Sequence, residues 1–171
     1  QDHYVKKIRI GATHTVGDCI LGDVINAFKE RNPQTETYSY VNNTRNIEEK
    51  LLKSELDIAI VEGMVKSPDL VSIPEVNDFL VLICSKEHPF AKRETVKIEE
   101  FREEHFAMRE EGSGTRELFE RSMLERGIPI RIALEGNSSA SIKRAVIENQ
   151  CLAVISIRLV EEEIKSGKIH V

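Results

Sequence analysis

Short apolar runs alternate with amphipathic segments along this 171-residue chain, and this alternation limits the fold more than any other feature of the sequence. Residues 8–11 and 35–41 favour strands, and residues 56–61 form an apolar run typical of a strand covered on both faces. Between these runs, apolar side chains recur at helical spacing over residues 20–28 and 47–52. Strands that alternate with helices favour a parallel sheet with right-handed crossovers, so the sequence predicts an α/β fold.

A second alternation of the same kind begins after residue 78. Residues 79–84 predict an apolar strand, residues 70–74 predict a further short strand before it, and the polar residues 75–78 predict a crossover between two lobes. We therefore expect a first α/β lobe at residues 1–78 and a second at residues 79–171. The elements predicted in the second lobe are strands at 105–108, 130–134 and 152–155, a helix that stops at Gly127, a helix with Ile142, Ala145, Val146 and Asn149 on one face, and a last helix at 159–165.

The charge balance and the cysteines exclude several classes of protein. The chain has 24 Lys and Arg against 29 Asp and Glu, so its net charge is −5 and it is not built to bind nucleic acid by itself. No apolar stretch approaches the roughly 18 residues of a membrane-spanning helix, and residues 1–7 carry no segment of signal-peptide type. Cys19, Cys84 and Cys151 fit neither a zinc pattern nor a disulfide framework, so we expect reduced, buried thiols in a cytosolic protein.

Polar residues follow four of the predicted strands and begin the next helix in each case. The first amides of a helix lack partners within it and carry partial positive charge, so such a segment can bind carboxylate, sulfate or phosphate. In open parallel sheets, ligands lie beyond the carboxyl ends of the strands, and if the two lobes face each other the four segments converge on one cleft. The candidate ligand-binding residues are Thr13, His14, Thr15, Asn43, Thr44, Ser113, Gly114, Thr115, Ser138 and Ser139.

Each of these segments also has a purely structural interpretation. Ser, Thr and Asn at the start of a helix often only cap it, which stabilises the helix by about 1 kcal/mol. His14, in the predicted loop 12–17, is either a donor to an anion or a partly exposed loop histidine. Gly112 and Gly114 on either side of Ser113 let the backbone approach a ligand closely, but the lysine of a phosphate-binding P-loop is absent.

The sequence shows no pattern typical of catalysis or metal binding. The histidines stand in no metal-ligand spacing, and the Gly-x-Ser-x-Gly spacing of a nucleophile elbow is missing around Ser113. We interpret Arg116, one turn into a predicted helix, as a member of a structural ion pair. Since no nucleophile stands with a base, we predict neither an enzyme, nor a metal site, nor a cofactor.

A series of short segments stands in a recognisable order and spacing: IRIGATHTVG (8–17), FKERNP (28–33), NT (43–44), LDIAIVEG (56–63), HP (88–89), EGSGTR (111–116) and SIKRAV (141–146). Together they resemble the effector-binding domain of LysR-type transcriptional regulators, over nearly the whole chain from Lys7 to Val171. The sequence is most similar to the branch that contains the cysteine-biosynthesis and carbon-dioxide-fixation regulators.

This resemblance implies a type II periplasmic-binding-protein-like fold, in which two α/β lobes are joined by a hinge and an effector lies in a central cleft. It implies that the helix starts at Thr13–Thr15, Asn43-Thr44, Ser113–Thr115 and Ser138-Ser139 line that cleft. It also implies a homodimer that packs into a homotetramer in the whole regulator. The family's N-terminal helix-turn-helix domain, and its last strand and helix, have no counterpart in these residues. DNA is therefore expected to be contacted only through a domain outside this chain.

The function expected from these observations is ligand sensing for a bacterial transcription factor. A small anionic metabolite between the two lobes, regulatory subdomains I and II, would change DNA binding and transcription by the whole protein in the cytoplasm. An alternative on the same fold is a solute-binding protein of a transport system, which would be exported. An enzyme on a related two-lobed fold ranks last, because no acid–base pair is identifiable.

Overall fold

The computed structural model describes residues 6–148 and 150–171. These residues form two compact units, within Gln1–Glu75 and within Val76–Val171, which we call unit 1 and unit 2. The sequence predictions for residues 1–5 and for Asn149 lie outside the described residues. Of the helices that the structure describes, none is both long and apolar enough to cross a membrane.

Unit 1 contains a three-stranded parallel sheet. Its elements are β1 (Lys6–Thr13), α1 (His14–Cys19), α2 (Leu21–Arg31), β2 (Thr35–Asn42), α3 (Thr44–Leu52) and β3 (Ile58–Ile60). β2 and β3 lie on either side of β1, and both run parallel to it. α2 ends immediately before Asn32 and Pro33, because a proline disfavours helical geometry in the residue that precedes it. The parallel sheet predicted for the first half of the chain is therefore confirmed.

The strands of unit 1 end at one edge of its sheet. Thr13, the last residue of β1, lies opposite Asn42 at the end of β2. Ala12 lies opposite Ile60 at the end of β3. The polar residues that follow these strands therefore begin at the same edge, where α/β folds place their ligand sites.

Close packing in the middle of β1 depends on a glycine. A Cβ atom at Gly11 would stand 2.7 Å from Leu56 Cδ1 and 3.2 Å from Ile47 Cδ1, which is too close for an undisturbed side chain. Leu56 and Ile47 are themselves buried, so α3 and the chain before β3 pack directly onto the backbone of β1. An aliphatic cluster completes the core of unit 1 and consists of Ile10, Ala12, Val16 and Leu21.

The prediction of a loop at residues 12–17 is wrong. β1 continues to Thr13, and α1 begins at the next residue, His14. Thr13 has extended backbone angles, φ −74° and ψ 165°, so it ends the strand and stands at the N-cap position of the helix at once. Small and polar residues here indicate a strand-to-helix junction without a connecting loop.

Two strand predictions near the end of unit 1 also need correction. Within residues 56–61 the strand is shortened to β3, and its Ile58 is 54 % exposed, so the strand is not covered on both faces. In the part of the chain that the structure describes, β3 pairs with β1 alone, so its other edge has no partner strand. Residues 70–74, all of them described, form no strand, and Val71 is 92 % exposed. A β-branched side chain favours a strand only where a neighbouring strand offers it a surface.

Unit 2 combines parallel and antiparallel pairing. Its strands and α-helices are β4 (Leu80–Ser85), β5 (His105–Arg109), α4 (Gly114–Glu125), β6 (Arg131–Gly136), α5 (Ser139–Ile147), β7 (Ala153–Ser156), α6 (Glu161–Lys165) and β8 (Ile169–His170). β5 and β6 are parallel, whereas β4 pairs antiparallel with both β7 and β8. A parallel bridge between Phe106 and Leu152 connects the two groups of strands. Hydrophobic periodicity carries no information on strand direction, so it could not predict the antiparallel pairs.

The last predicted helix is interrupted. Residues 159–165 were expected to be one helix, but Ile157–Leu159 forms a 3₁₀ turn and α6 begins only at Glu161. Val160, with φ −124°, separates the two. The predicted stop at Gly127 is correct, because its φ of +63° is the left-handed conformation that commonly follows a helix.

Phenylalanine side chains fill the core of unit 2. The ring centroids of Phe106 and Phe119 are 5.3 Å apart, and those of Phe101 and Phe106 are 5.6 Å apart. Phe106 is fully buried, and Met123 and Leu152 complete the same cluster. Tilted ring pairs at this spacing add to the free energy gained by burial.

The cysteines differ in burial. Cys84 and Cys151 are buried in unit 2, but Cys19, the last residue of the short helix α1, is half-buried. The expectation of a buried thiol is therefore wrong for Cys19. Burial raises the pKa of the Cys84 and Cys151 thiols, which keeps both protonated and poorly reactive at neutral pH.

Candidate functional site

A glutamate joins the polar residues at the strand-end edge of unit 1. Glu62 follows β3, and its backbone N–H donates to Thr13 Oγ1 at 3.2 Å. Thr15 Oγ1 donates to Glu62 Oε1 at 2.8 Å, and Thr44 Oγ1 donates to the Glu62 carbonyl oxygen at 3.0 Å. Predicted residues from the starts of α1 and α3 are thus brought together by a residue outside the predicted set.

These threonines are buried and hold Glu62 in place. Thr13, Thr15 and Thr44 are 2 %, 3 % and 5 % exposed. Although Thr13 stands at the N-cap position of α1, its side chain makes no capping hydrogen bond among the described residues. The capping interpretation is therefore wrong for Thr13, whose hydroxyl instead connects the end of β1 to the end of β3.

Asn43 does cap its helix. Its Oδ1 accepts a hydrogen bond from Asn46 N at 3.0 Å. Asn42 Oδ1 accepts from Asn43 N at 2.8 Å and from Asn46 Nδ2 at 2.7 Å, and Asn42 Nδ2 donates to the Tyr40 hydroxyl at 2.9 Å. His14 lies beside this edge as the first residue of α1 and is half-buried. It belongs to a helix and not to the loop that was expected.

In unit 2 two of the predicted serines cap their own helices. Ser113 Oγ accepts from Arg116 N at 3.3 Å, and Ser138 Oγ accepts from Ser141 N at 3.4 Å. Gly112, with φ +90°, makes a turn before Ser113 that other residues rarely adopt. The other predicted residues of these helix starts are Gly114 and Thr115, which are buried, and Ser139, which is half-buried.

The two helix starts of unit 2 follow neighbouring strands. Arg109 at the end of β5 lies opposite Gly136 at the end of β6 in a parallel pair. α4 and α5 therefore begin at the same edge of this sheet. The structure thus brings the predicted residues of unit 2 together at one edge, as it does within unit 1.

Arginines neutralise the acidic side chains at this edge of unit 2. The Arg109 side chain is 5 % exposed and pairs with Glu110 at 2.6 Å. Arg116 donates to the Arg109 carbonyl oxygen at 2.9 Å, to Glu135 at 2.8 Å and to Glu120 at 2.7 Å. Burial alone would lower the pKa of Arg116, but its bonds to Glu135 and Glu120 raise it. The structural ion pair interpreted for Arg116 is present.

Glu62 and Arg109 are among the polar residues of these edges that the sequence predictions missed. Glu62 comes directly after the apolar run 56–61, so the rule that selected Thr13 and Ser113 could have selected it. Arg109 directly follows the predicted strand 105–108 in the same way. Both are charged residues, whereas the pattern used for prediction consists of small hydroxyl and amide residues.

Among residues 6–148 and 150–171, no group of three or more His, Cys, Asp or Glu is placed to hold a metal ion. A surface groove of about 570 Å³, lined in part by Lys7, Thr35 and Tyr38, lies at the start of β1 and β2. The candidate residues stand at the opposite ends of these strands.

Each unit places polar residues where parallel strands end and helices begin. Hydroxyls, amides and helix N-termini in that position suit small polar ligands. The fold and these edges define an α/β ligand-binding domain built from two units.

The chain belongs to the LysR substrate-binding domain family, whose model, described as "LysR substrate binding domain", matches residues 1–171. The resemblance found in the sequence is therefore confirmed. The family, and the relatives described next, are regulatory proteins and not enzymes. They do not favour the alternative of a transport protein.

Curated relatives are named as transcriptional regulators. A "Probable RuBisCO transcriptional regulator" of Cyanophora paradoxa is 31 % identical over 167 residues, which cover 94 % of this chain and 52 % of that protein. The "HTH-type transcriptional regulator CysL" of Bacillus subtilis is 26 % identical over 170 residues, which cover 99 % of this chain and 57 % of CysL. The chain thus spans about half the length of the curated relatives it matches.

Solved structures show the same fold. The CcmR regulatory domain of Synechocystis PCC6803, in complex with 2-PG, has a TM-score of 0.87 and 26 % identity, and the match covers 96 % of this chain and 78 % of that one. The effector-binding domain of QuiR, in complex with shikimate, has a TM-score of 0.84 and 17 % identity, with 95 % and 78 % covered. These neighbours confirm the predicted periplasmic-binding-protein-like α/β fold.

Proposed function

We propose that this chain is the effector-sensing part of a LysR-type transcriptional regulator and that it binds a small anionic metabolite. The observation that carries the proposal is that, in each unit, the predicted polar residues stand at the ends of neighbouring parallel strands. Helix starts at such an edge present amides and partial positive charge to an anion. The CcmR and QuiR domains were solved with small organic acids, which supports the same class of ligand here.

The proposed binding residues are those singled out in the sequence. In unit 1 they are Thr13, His14, Thr15, Asn43 and Thr44, and in unit 2 they are Ser113, Gly114, Thr115, Ser138 and Ser139. We assign residues 1–78 and 79–171 to regulatory subdomains I and II.

The remaining parts of the proposal concern the whole protein. The matched relatives are about twice as long as this chain, and CysL is named as an HTH-type regulator. We therefore infer that DNA is bound through an N-terminal helix-turn-helix domain. From the family resemblance we also propose that the regulator is a homodimer or homotetramer, and from its expected reduced cysteines that it works in the cytoplasm. Effector binding changes DNA binding only to the extent that the effector prefers one conformation of the protein over another.

Calorimetric titration of the chain tests the ligand class. Sulfate, acetylserine, shikimate and 2-phosphoglycolate are suitable probes, and at least one should bind in a saturable way. Ser113→Ala should weaken that binding about tenfold, because it removes a hydroxyl and loosens the start of α4. Ser122→Ala, toward the other end of the same helix, is the matched control and should bind like the wild type. If none of these anions binds to the folded chain, the proposal is wrong.

A further inference from the structure

The hydroxyl protons of Thr15 and Thr44 are directed at Glu62. A threonine hydroxyl has a single proton to donate. Thr15 donates its proton to the Glu62 carboxylate and Thr44 donates its proton to the Glu62 carbonyl oxygen, at 2.8 and 3.0 Å. Neither hydroxyl can donate to a bound anion without releasing Glu62. In this arrangement Thr15 and Thr44 contribute to ligand binding through Glu62, whose carboxylate and carbonyl oxygen they hold in place at this edge.

A carboxylate at this position changes what the edge can bind. The nine-residue helix α3 directs its N-terminal dipole at the same edge, which favours an anionic group. Glu62 is half-buried there and repels an anion that offers acceptor atoms alone. A carboxylate has about four acceptor positions, so it can accept a donor from a ligand in addition to its protein partners. An anion with its own hydrogen-bond donor satisfies both the helix and the carboxylate.

We propose that Glu62 is a specificity-determining residue that selects anions carrying a hydrogen-bond donor, such as a hydroxyl group, over anions with acceptor atoms alone. This inference rests on the proposed function. It narrows the effector from any small anion to a hydroxy acid or another oxyanion that retains a hydroxyl or an ammonium group.

Two matched pairs of probes test the selection by calorimetry at pH 7. Glycolate differs from acetate by one hydroxyl, and phosphate, unlike sulfate, keeps an O–H at this pH. The wild-type chain should bind the donor-bearing member of each pair about tenfold or more tightly, since a hydrogen bond to a charged group is among the strong ones. Glu62→Gln keeps the shape and one acceptor but removes the charge and adds an N–H donor. It should abolish or reverse both preferences, with sulfate gaining most.

Glu30→Gln is the matched control, because it removes the same charge from an exposed position on α2. It should keep both preferences. Far-UV circular dichroism of each variant establishes that it is folded.

Thr15→Val provides a second variant that leaves the charge of Glu62 in place. If Glu62 makes the selection, the preference for glycolate over acetate persists in this variant. If the Thr15 hydroxyl makes the selection instead, glycolate binding weakens more than acetate binding and the preference is lost, which overturns the inference.

The outcomes separate this inference from the function on which it rests. Binding of the probes with preferences that Glu62→Gln leaves unchanged refutes the role of Glu62 alone. If none of these four anions binds to the folded wild-type chain, and acetylserine, shikimate and 2-phosphoglycolate do not bind either, the anion-sensing function is refuted, and the role of Glu62 with it.

Discussion

The two units use the same local pattern in different ways. In unit 1, the hydroxyls that follow the strands bond across 18 to 49 positions of sequence to Glu62. In unit 2, Ser113 and Ser138 bond to amides three residues further along their own helices. A strand followed by a hydroxyl and a helix is thus a capped helix in one unit and part of a tertiary network in the other. The pattern identifies the edge, and the neighbouring strand decides what the hydroxyl does there.

The hydrophobic cores of the two units also differ, in the kind of side chain that fills them. The buried cluster of Ile10, Ala12, Val16 and Leu21 in unit 1 is aliphatic. Unit 2 is built around Phe101, Phe106 and Phe119, whose rings contact one another. Large rings concentrate much buried apolar area in few residues, so unit 2 should be more sensitive to the loss of a single side chain.

The largest expected effect tests this difference between the cores. Phe106→Ala should lower the free energy of unfolding by about 3–5 kcal/mol, because it empties the centre of the ring cluster. Urea unfolding measures the loss, and hydrogen exchange should show protection lost in β5 and α4 before it is lost in β1. Phe79→Ala, at a position 68 % exposed, is the control and should change stability by less than about 0.5 kcal/mol. Equal effects of the two changes would contradict the description of the core.

A smaller effect tests the contrast between the strand-end edges. Thr13→Val keeps the shape of a side chain that is 2 % exposed but removes the acceptor of the Glu62 N–H, which should cost about 1–3 kcal/mol. Ser138→Ala removes only an exposed helix cap and should cost about 1 kcal/mol or less. Both losses are measured by urea unfolding. A larger loss of stability for Ser138→Ala than for Thr13→Val would contradict this contrast between the two edges.

The smallest effect concerns acid stability. Hydrogen bonds from the Arg9 guanidinium and from the Arg9 backbone N–H lower the pKa of Asp57 from 3.8 to about 2. A carboxyl whose pKa is lowered by folding stabilises the protein above its ordinary pKa, and this contribution is lost as the pH falls from 3.8 towards 2. Asp57→Asn should therefore be less stable than the wild type at pH 7, and the difference should shrink towards pH 2.

Unfolding in urea at a series of pH values checks this prediction. Asp69→Asn removes the same charge from another exposed position of unit 1 and should follow the wild type more closely. In unit 2, burial raises the pKa of Glu163, but the hydrogen bond and charge of Lys143, a backbone hydrogen bond and the charge of Lys168 together outweigh burial and lower this pKa. Glu163→Gln should therefore show the same sign of pH dependence. A difference between Asp57→Asn and the wild type that grows in acid would contradict the ion pair with Arg9.

Most of the elements could be predicted from periodicity and from the residues that end helices. β2 was expected at 35–41 and is Thr35–Asn42, and α2 stops before Pro33 as expected. The expected strand at 70–74 was wrong, because a β-branched residue such as Val71 needs a neighbouring strand that the local sequence does not provide. The prediction of one continuous helix at 159–165 was wrong, because the backbone geometry at Val160 interrupts it and the local composition does not reveal this break.

For the candidate site, the sequence by itself determined where the polar edges lie, since a strand end followed by Thr, Asn or Ser is a local pattern. Which of these side chains are caps and which are joined through Glu62 was decided only by the tertiary structure. The reason is that parallel pairing brings the ends of β1 and β3 together although they are 47 positions apart, as in the bond from Thr15 to Glu62. Local propensity can account for a helix cap, whereas a hydrogen bond between distant residues forms only after the sheet has brought them together.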